Sequence, residues 1–242
     1  DQPSLFASGT ANSAIHSTKL QGVLRSPTFT VEHGQIHYRL RANNAEVRLI
    51  IDGYTMATFA PLLFNQTVSK DVNSENGFQW HTQSGDIRRY KGHRAYIEIL
   101  DQGDGYTVVD EIRFSDAAVM VDPPSQLCLD LLFDKRIKSR TDLARAIGRA
   151  WEEGRRKWQS AELSTDLHKL VGWVQSHHLI DQSSYRRRIA SLRQQISGIN
   201  KGIPYPTRVL AITEGTPEDE RIHIRGSHRN LGDVVPRRFL VA

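Results

Sequence analysis

Cysteine is nearly missing from the 242-residue sequence, which contains only Cys128. One cysteine excludes an internal disulfide and the Cys-x-x-Cys-His motif that attaches haem covalently, so we expect no haem in this segment. Cys128 lies in the apolar stretch 127–133. A free cysteine in such a stretch is usually a small buried hydrophobic group, and we predict a buried thiol here.

Long apolar runs are missing as well. No stretch of about 18 apolar residues occurs, so we expect no membrane insertion. The chain also lacks the basic and then apolar start of a signal peptide, and it opens abruptly at Asp1-Gln2-Pro3. We therefore expect a segment cut from a longer protein.

Motifs of catalysis and metal binding are equally scarce. The Gly-x-Ser-x-Gly elbow of many serine hydrolases is absent. The ten histidines lack cysteine or acidic partners at the spacing of a zinc site. No motif supplies activated groups in defined roles, so we interpret the chain as a non-catalytic module, not an enzyme.

Charge is distributed unevenly along the chain. Residues 1–122 contain 11 Lys and Arg against 14 Asp and Glu, whereas residues 123–242 contain 21 against 13. The basic excess therefore belongs to the second half, in clusters such as 149–158 and 185–188. Acidic residues are interspersed among these clusters, which favours a solvated or domain-facing surface over a nucleic-acid partner.

The first half has the pattern of β-strands, with β-branched and aromatic residues at period two between turn residues. The best predicted strands are 28–31, 35–40, 46–51, 95–100 and 107–114. Asp52-Gly53 predicts a tight turn after the third. Several short strands with few helices between them predict an antiparallel β-sandwich over residues 5–122.

Helical periodicity follows Pro123 and Pro124, which cannot continue a central strand. We predict helices over 125–137, 141–158, 165–178 and 184–199, with Ser139 or Thr141 as the cap of the second. Together they form a helical region, 123–202. Residues 203–242 return to an extended pattern, in 208–212 and 221–225, and we expect an extended arm.

The densest acidic segment is 101–105, which Asp110 and Glu111 follow. Oxygen ligands around a turn that glycine permits are what Ca²⁺ requires. The spacing is not that of an EF-hand, however, and any tight turn favours Gly and Asp. A plain turn is thus the first interpretation, and Ca²⁺ bound by Asp101, Asp104 and Asp110 is the alternative.

Several aromatic residues lie near predicted loops, where a flat ring beside polar groups is typical of sugar sites. Aromatic residues also fill sandwich cores, so both roles stay open. If a sugar site exists, we expect its rings to be Trp80, Tyr106 and Tyr54 and its polar groups to be Arg48, Asp52 and Asp104.

Three stretches resemble a known family: 20–29 (LQGVLRSPTF), 90–114 with its YKGHRAYIE opening, and 223–240 with HIRGSHRNLG and VPRRFL. Together they resemble the middle region of large exported cytochrome-c-associated proteins of planctomycetes. That resemblance implies a periplasmic or cell-surface location and flanking domains of the same polypeptide as partners. It also implies that the arm 203–242 leads into a further C-terminal domain. The first two stretches are also similar to the jelly-roll module of some secreted glycoside hydrolases, which implies a galactose-binding-like fold.

Two functions are consistent with these patterns. The first is a carbohydrate-binding module whose partner is a polysaccharide or another glycan. The second is a structural spacer between domains, with no ligand of its own. Because fold does not imply function, the choice between them depends on the site.

Overall fold

The computed structural model describes residues 10–54, 64–74, 77–118, 120–121, 124–160, 164–176, 186–207, 209 and 219–238. The strands are β1 Ala11–Asn12, β2 Gly22–Arg25, β3 Phe29–Thr30, β4 Gln35–Ile51, β5 Val68–Val72, β6 Gln79–Gln83, β7 Arg94–Ser115, β8 Glu220–His223 and β9 Leu231–Val235. The α-helices are α1 Gln126–Phe133, α2 Arg140–Gln159, α3 Thr165–Ser176 and α4 Arg186–Gly202. The prediction of a mainly antiparallel β region followed by helices is confirmed.

Two long strands, β4 and β7, form the centre of the sheet. They pair antiparallel from Gln35 opposite Ser115 to Ile51 opposite Ala95. The short strands β5 and β6 pair with the free edge of β4, and β1, β2 and β3 pair with the free edge of β7. Asp52 and Gly53 both have positive φ, as the predicted tight turn after β4 requires.

Within β4, the positions that face the core change from even-numbered to odd-numbered residues, and at this point the sheet folds over on itself. The β4 residues that belong to the main hydrophobic core are even-numbered up to Ala42 and odd-numbered from Ala45 onwards. The register shifts between Asn43 and Ala45, and Asn44 has a φ of 55°. Side chains alternate between the two faces of a strand, so one extra residue changes which positions face the core. The extra residue, Asn44, therefore keeps the apolar side chains on the concave face beyond the bend. The sheet therefore has a first half, around β4 residues 35–43, and a second half, around 45–51, which share one core.

The bend in β7 lies opposite the bend in β4. Residues 102–105 are inserted between Asp101, which pairs with Ala45, and Tyr106, which pairs with Asn43. The segment that we predicted as a turn between two strands is therefore a wide bulge within one strand. A side chain at Gly105 would place its Cβ 1.9 Å from the carbonyl oxygen of Asn43, so the two backbones approach closely only because this residue is glycine.

A buried polar network connects the two halves. Gln83 at the end of β6 is buried, and its side-chain oxygen accepts a hydrogen bond from the Tyr38 hydroxyl at 2.7 Å. The Gln83 side-chain nitrogen donates to the carbonyl oxygens of Val47 and Thr67, each at 3.1 Å. Tyr38 belongs to the first half and Val47 to the second, so the network fixes their separation. Buried polar groups with partners for their hydrogen bonds favour one arrangement of the core over others.

The helices form a second, smaller core. Ala150 of α2 packs with Leu167, Leu170 and Val174 of α3. Ser139 caps α2, where its hydroxyl accepts a hydrogen bond from the Asp142 amide, as predicted. None of the described helices is long and apolar enough to cross a membrane.

The prediction of a buried Cys128 is wrong, because the thiol is exposed on α1. Its neighbour Leu127 is the side chain of α1 that packs against the helical core. Successive residues on a helix point about 100° apart, so only part of an apolar run can face that core.

The C-terminal part contains a small hairpin of β8 and β9 that contacts the sandwich. Glu220 accepts a hydrogen bond from Arg94 at 3.0 Å, and the Tyr90 hydroxyl is hydrogen-bonded to Nε2 of His228 at 3.0 Å. The strand predicted at 221–225 begins at Glu220 and ends at His223, where a 3₁₀ turn follows. The strand predicted at 208–212 lies almost wholly outside the described residues.

We predict that Gly105→Ala destabilises the protein by about 3 kcal/mol or more, because the new methyl group forces apart the two strands at their bends. Urea unfolding, followed by fluorescence, measures this loss. Gly22→Ala on β2 is the matched control, since no described atom lies within 4 Å of a Cβ there. We expect the control to change stability by at most about 0.5 kcal/mol. Equal stability of the two variants would show that the bend does not depend on this close approach.

Candidate functional site

Trp80 and Tyr106, the first two rings named from the sequence, lie on the same outer face of the sheet. Trp80 on β6 is opposite Arg39 of β4, and Tyr106 on β7 is opposite Asn43. Directly opposite residues of an antiparallel pair project to the same side. Their partners, Arg39 and Asn43, are four positions apart on β4, which is a distance of about 13 Å along the strand.

Three arginines lie over the rings of this face. The guanidinium carbon of Arg113 is 4.9 Å from the Trp80 ring centre, and that of Arg41 is 5.9 Å from the Tyr106 ring centre. A third guanidinium, of Arg39, is 5.1 Å from the centre of Phe78. We call this set the aromatic–arginine face; its members are Arg39, Arg41, Phe78, Trp80, Tyr106 and Arg113. Cation–π contacts of this kind hold both ring and cation in place.

Two carboxylates balance part of this charge. Asp110 forms an ion pair with Arg39, and Glu111 accepts a hydrogen bond from Arg113 at 2.8 Å. Asp110 is the extra residue of a second bulge in β7, between the partners of Arg39 and Leu40. The face therefore presents flat rings with donors and acceptors beside them, which is the chemistry that a sugar requires.

The remaining sugar-site candidates lie elsewhere. Arg48 belongs to the second half of the sheet and donates to the buried Glu46 at 2.7 Å. Asp52, in the turn after β4, is 2.6 Å from Nδ1 of His93. Tyr54 follows that turn, and its ring is 6.4 Å from that of Phe64. The structure thus brings Trp80 and Tyr106 to one face and Asp52 and Tyr54 to another region.

The candidate calcium ligands have different surroundings. Asp101 is 5% exposed, and its Oδ1 accepts a hydrogen bond from the Gly103 amide at 2.9 Å. Its Oδ2 is buried and has no hydrogen-bond partner in the described structure. Asp110 is engaged by Arg39, and the Asp104 side chain lies outside what the structure describes. Within the described ranges, no group of three or more His, Cys, Asp or Glu side chains is arranged to hold a metal.

A second cluster lies where the β8–β9 hairpin meets the sandwich. The Tyr90 ring stacks on Phe64 at 5.0 Å and meets the His93 ring edge-on at 5.4 Å. His228 joins them through its hydrogen bond to the Tyr90 hydroxyl. We call this set the tyrosine–histidine cluster; its members are Asp52, Phe64, Tyr90, His93 and His228.

Sequence reasoning named Asp52 as a candidate residue but missed both histidines of this cluster. His93 was detectable, since it follows Tyr90 in the Tyr-Lys-Gly-His turn, whereas His228 is 138 residues away from Tyr90. Burial lowers the pKa of His228, and the neighbouring charge of Arg229 lowers it further. Burial also raises the pKa of the Tyr90 hydroxyl. Both shifts favour the neutral forms, which suits a hydrogen bond between a phenol and a neutral imidazole.

Comparisons with known proteins add no relative. The sequence matches no protein-family model and no curated protein, and the fold matches no solved structure.

We predict that stability falls as the pH drops below about 6.5, the ordinary pKa of histidine. Burial lowers the folded-state pKa values of His37, His81 and His228, so the unfolded chain binds more protons in this range. The stabilisation from their neutral forms is present above the unfolded pKa and is lost as the pH falls through the folded values. Urea unfolding at about pH 7.5 and about pH 5.5 measures the difference.

His228→Gln should retain part of this pH dependence, since only the contribution of His228 is removed. His16→Gln controls for the loss of a histidine, because His16 is exposed and outside the cluster. An unchanged pH dependence in His228→Gln would rule out a contribution from the contact with Tyr90.

Proposed function

We propose that this chain is a non-catalytic carbohydrate-binding module whose aromatic–arginine face binds a polysaccharide. The observation that supports this function is the placement of Trp80 and Tyr106 on one sheet face, with Arg39 and Arg41 on the strand between them. Two ring-bearing positions about 13 Å apart along the strand suit a linear chain of several sugars better than a single ring. Strand β4 is paired with β7 on both sides of this stretch and with β6 from Ile36 to Leu40.

The chemistry of the face suggests the class of glycan. A flat ring covers the apolar side of a pyranose, while guanidinium and carboxylate groups reach its hydroxyls. The face contains three arginines and two paired carboxylates, Asp110 and Glu111. Guanidinium groups bind carboxylates strongly, so we propose an acidic polysaccharide, whose carboxylate groups contact these arginines, as the preferred ligand.

The finer fold and the origin of the chain are part of the proposal. We propose a galactose-binding-like jelly roll from the middle of an exported planctomycete-type cytochrome-c-associated protein. The family resemblance supports this, and so does the Tyr-Lys-Gly-His turn, in which the Gly92 amide donates to the Val31 carbonyl oxygen at 2.8 Å. Fractionation of source cells, with detection of the full-length protein, tests the periplasmic or cell-surface location.

We predict that Trp80→Ala and Tyr106→Ala each weaken binding to a uronic-acid polysaccharide by about 2 kcal/mol, roughly 30-fold, because each removes a stacking surface. Affinity electrophoresis and calorimetry on the intact chain measure the loss. Circular dichroism verifies that the variants stay folded. Trp173→Ala is the matched control, since this exposed tryptophan lies on α3, away from the face.

An equal loss in the Trp173→Ala control would contradict the assigned face. If the wild-type chain binds no polysaccharide in a broad screen, the proposed function is wrong. In that case the alternative, a structural spacer, gains support if the chain associates with its separately produced flanking domains. Exposed apolar side chains on α1, such as Leu132 and Phe133, favour that alternative because they suit contact with another domain.

Calcium is a separate proposal, supported by the buried Asp101 Oδ2, for which the described part of the chain supplies no hydrogen-bond partner. An ion there would bind only the folded protein and would therefore stabilise it. We predict that about 1 mM Ca²⁺ raises the melting temperature by about 3–5 °C and that a chelator reverses the change. Asp101→Asn should abolish the response. A wild-type melting temperature that ignores both Ca²⁺ and chelator would exclude the site.

A further inference from the structure

Helix α4 carries an apolar stripe with heptad spacing. Ile189, Leu192, Ile196 and Ile199 follow one another at intervals of three, four and three residues, and Ile203 continues the series beyond the helix end. Such alternation of three and four is the pattern of positions a and d in a coiled coil. Leu192 is 49% exposed, Ile196 57% and Ile199 67%. None of the other described elements packs along this stripe as α2 and α3 pack on each other.

The residues beside the stripe are basic or neutral. Arg188 and Gln195 occupy position g, and Arg193 and Asn200 occupy position e. The whole helix contains five Lys and Arg residues and no Asp or Glu. Positions e and g select the partner of a coiled-coil helix by charge, so this helix favours carboxylates on its partner.

A groove beside the helix has the same charge preference. It has a volume of about 470 Å³, and its lining residues are Lys19, Arg193, Ile196, Ser197, Asn200 and Lys201. Lys19 is fixed there, because its ammonium group donates to the carbonyl oxygen of Ile203 at 2.7 Å. The groove thus combines an apolar side chain with three cations, and no carboxylate lines it.

We propose that α4 is a docking surface for an acidic amphipathic helix of another protein or domain. The partner supplies apolar residues at its a and d positions and Glu or Asp at e and g. A second copy of this chain fits poorly, because parallel and antiparallel pairs of α4 both place arginines beside arginines. A membrane surface also fits less well, since the stripe is a narrow a/d seam and not the broad apolar face of an interfacial helix. This surface is separate from the aromatic–arginine face and does not depend on the glycan proposal.

Synthetic helices test the proposal on the intact chain. The probe is a fluorescent peptide of four heptads with Ile at a, Leu at d and Glu at e and g; the matched control peptide has Lys in place of those Glu residues. We expect fluorescence anisotropy to show binding of the Glu peptide and at least about tenfold weaker binding of the Lys peptide. Raised salt should reduce the preference.

Two variants locate the interaction. Arg188→Glu/Arg193→Glu should reverse the preference, so that the Lys peptide now binds more tightly than the Glu peptide. This gain of binding cannot arise from unfolding. Leu192→Ala should weaken Glu-peptide binding about tenfold through the loss of buried apolar area, whereas Leu132→Ala, the same change at an exposed position of α1, should not.

Four results would overturn the proposal. They are no binding of either peptide, equal binding of both peptides, an unchanged preference in the charge-reversed variant, and self-association of the wild-type chain that Leu192→Ala abolishes. Tighter binding to vesicles with anionic headgroups than to the Glu peptide would assign the stripe to a membrane surface instead.

Discussion

The bends of β4 at Asn44 and of β7 at residues 102–105 are the constraint on which the sandwich depends. A single pair of strands as long as β4 and β7 would otherwise form an extended ribbon with one apolar side left in water. Asn44 changes the parity of β4, and Gly105 lets the two backbones approach. The apolar sides of both halves then meet, with the Gln83 network between them. The core thus forms because one sheet bends over on itself, and not because two separate sheets pack together.

The same bend determines where polar side chains are accessible to a ligand. Because the concave side is filled by the core, functional groups remain on the two outer faces and at the ends. The outer face of the first half holds the aromatic–arginine face. The turn after β4, at the other end of that strand, holds Asp52 and the tyrosine–histidine cluster, to which the C-terminal hairpin adds His228. Among the residues that the structure describes, neither region contains a side chain of the four α-helices.

Local patterns predicted the four helices and segments of β3, β4, β7 and β8, but not the continuity of the two long strands. Gly103 and Gly105 are residues typical of a turn. Only the pairing of both Asp101 and Tyr106 with β4 shows that β7 continues through this segment. Strand β5 was missed because Ser69, Lys70 and Asp71 interrupt its apolar residues. For the candidate site, aromatic type and an expected loop position suggested Trp80 and Tyr106, but both residues lie within strands, β6 and β7. Their arginine partners depend on cross-strand register, which no local pattern contains.

The pairing of β4 with β7 also has a kinetic consequence. The contact of Asp52 with His93, just beyond the ends of the two strands, already spans 41 residues, and the register of β4 and β7 then extends outward to Gln35 and Ser115. Closing that loop must precede any gain from the central pairing, and the entropy lost in closing it opposes the first step of folding. The helices, whose contacts are local, can form sooner. The chain should therefore fold slowly for its size, with the helical region ordered while the sandwich is still incomplete.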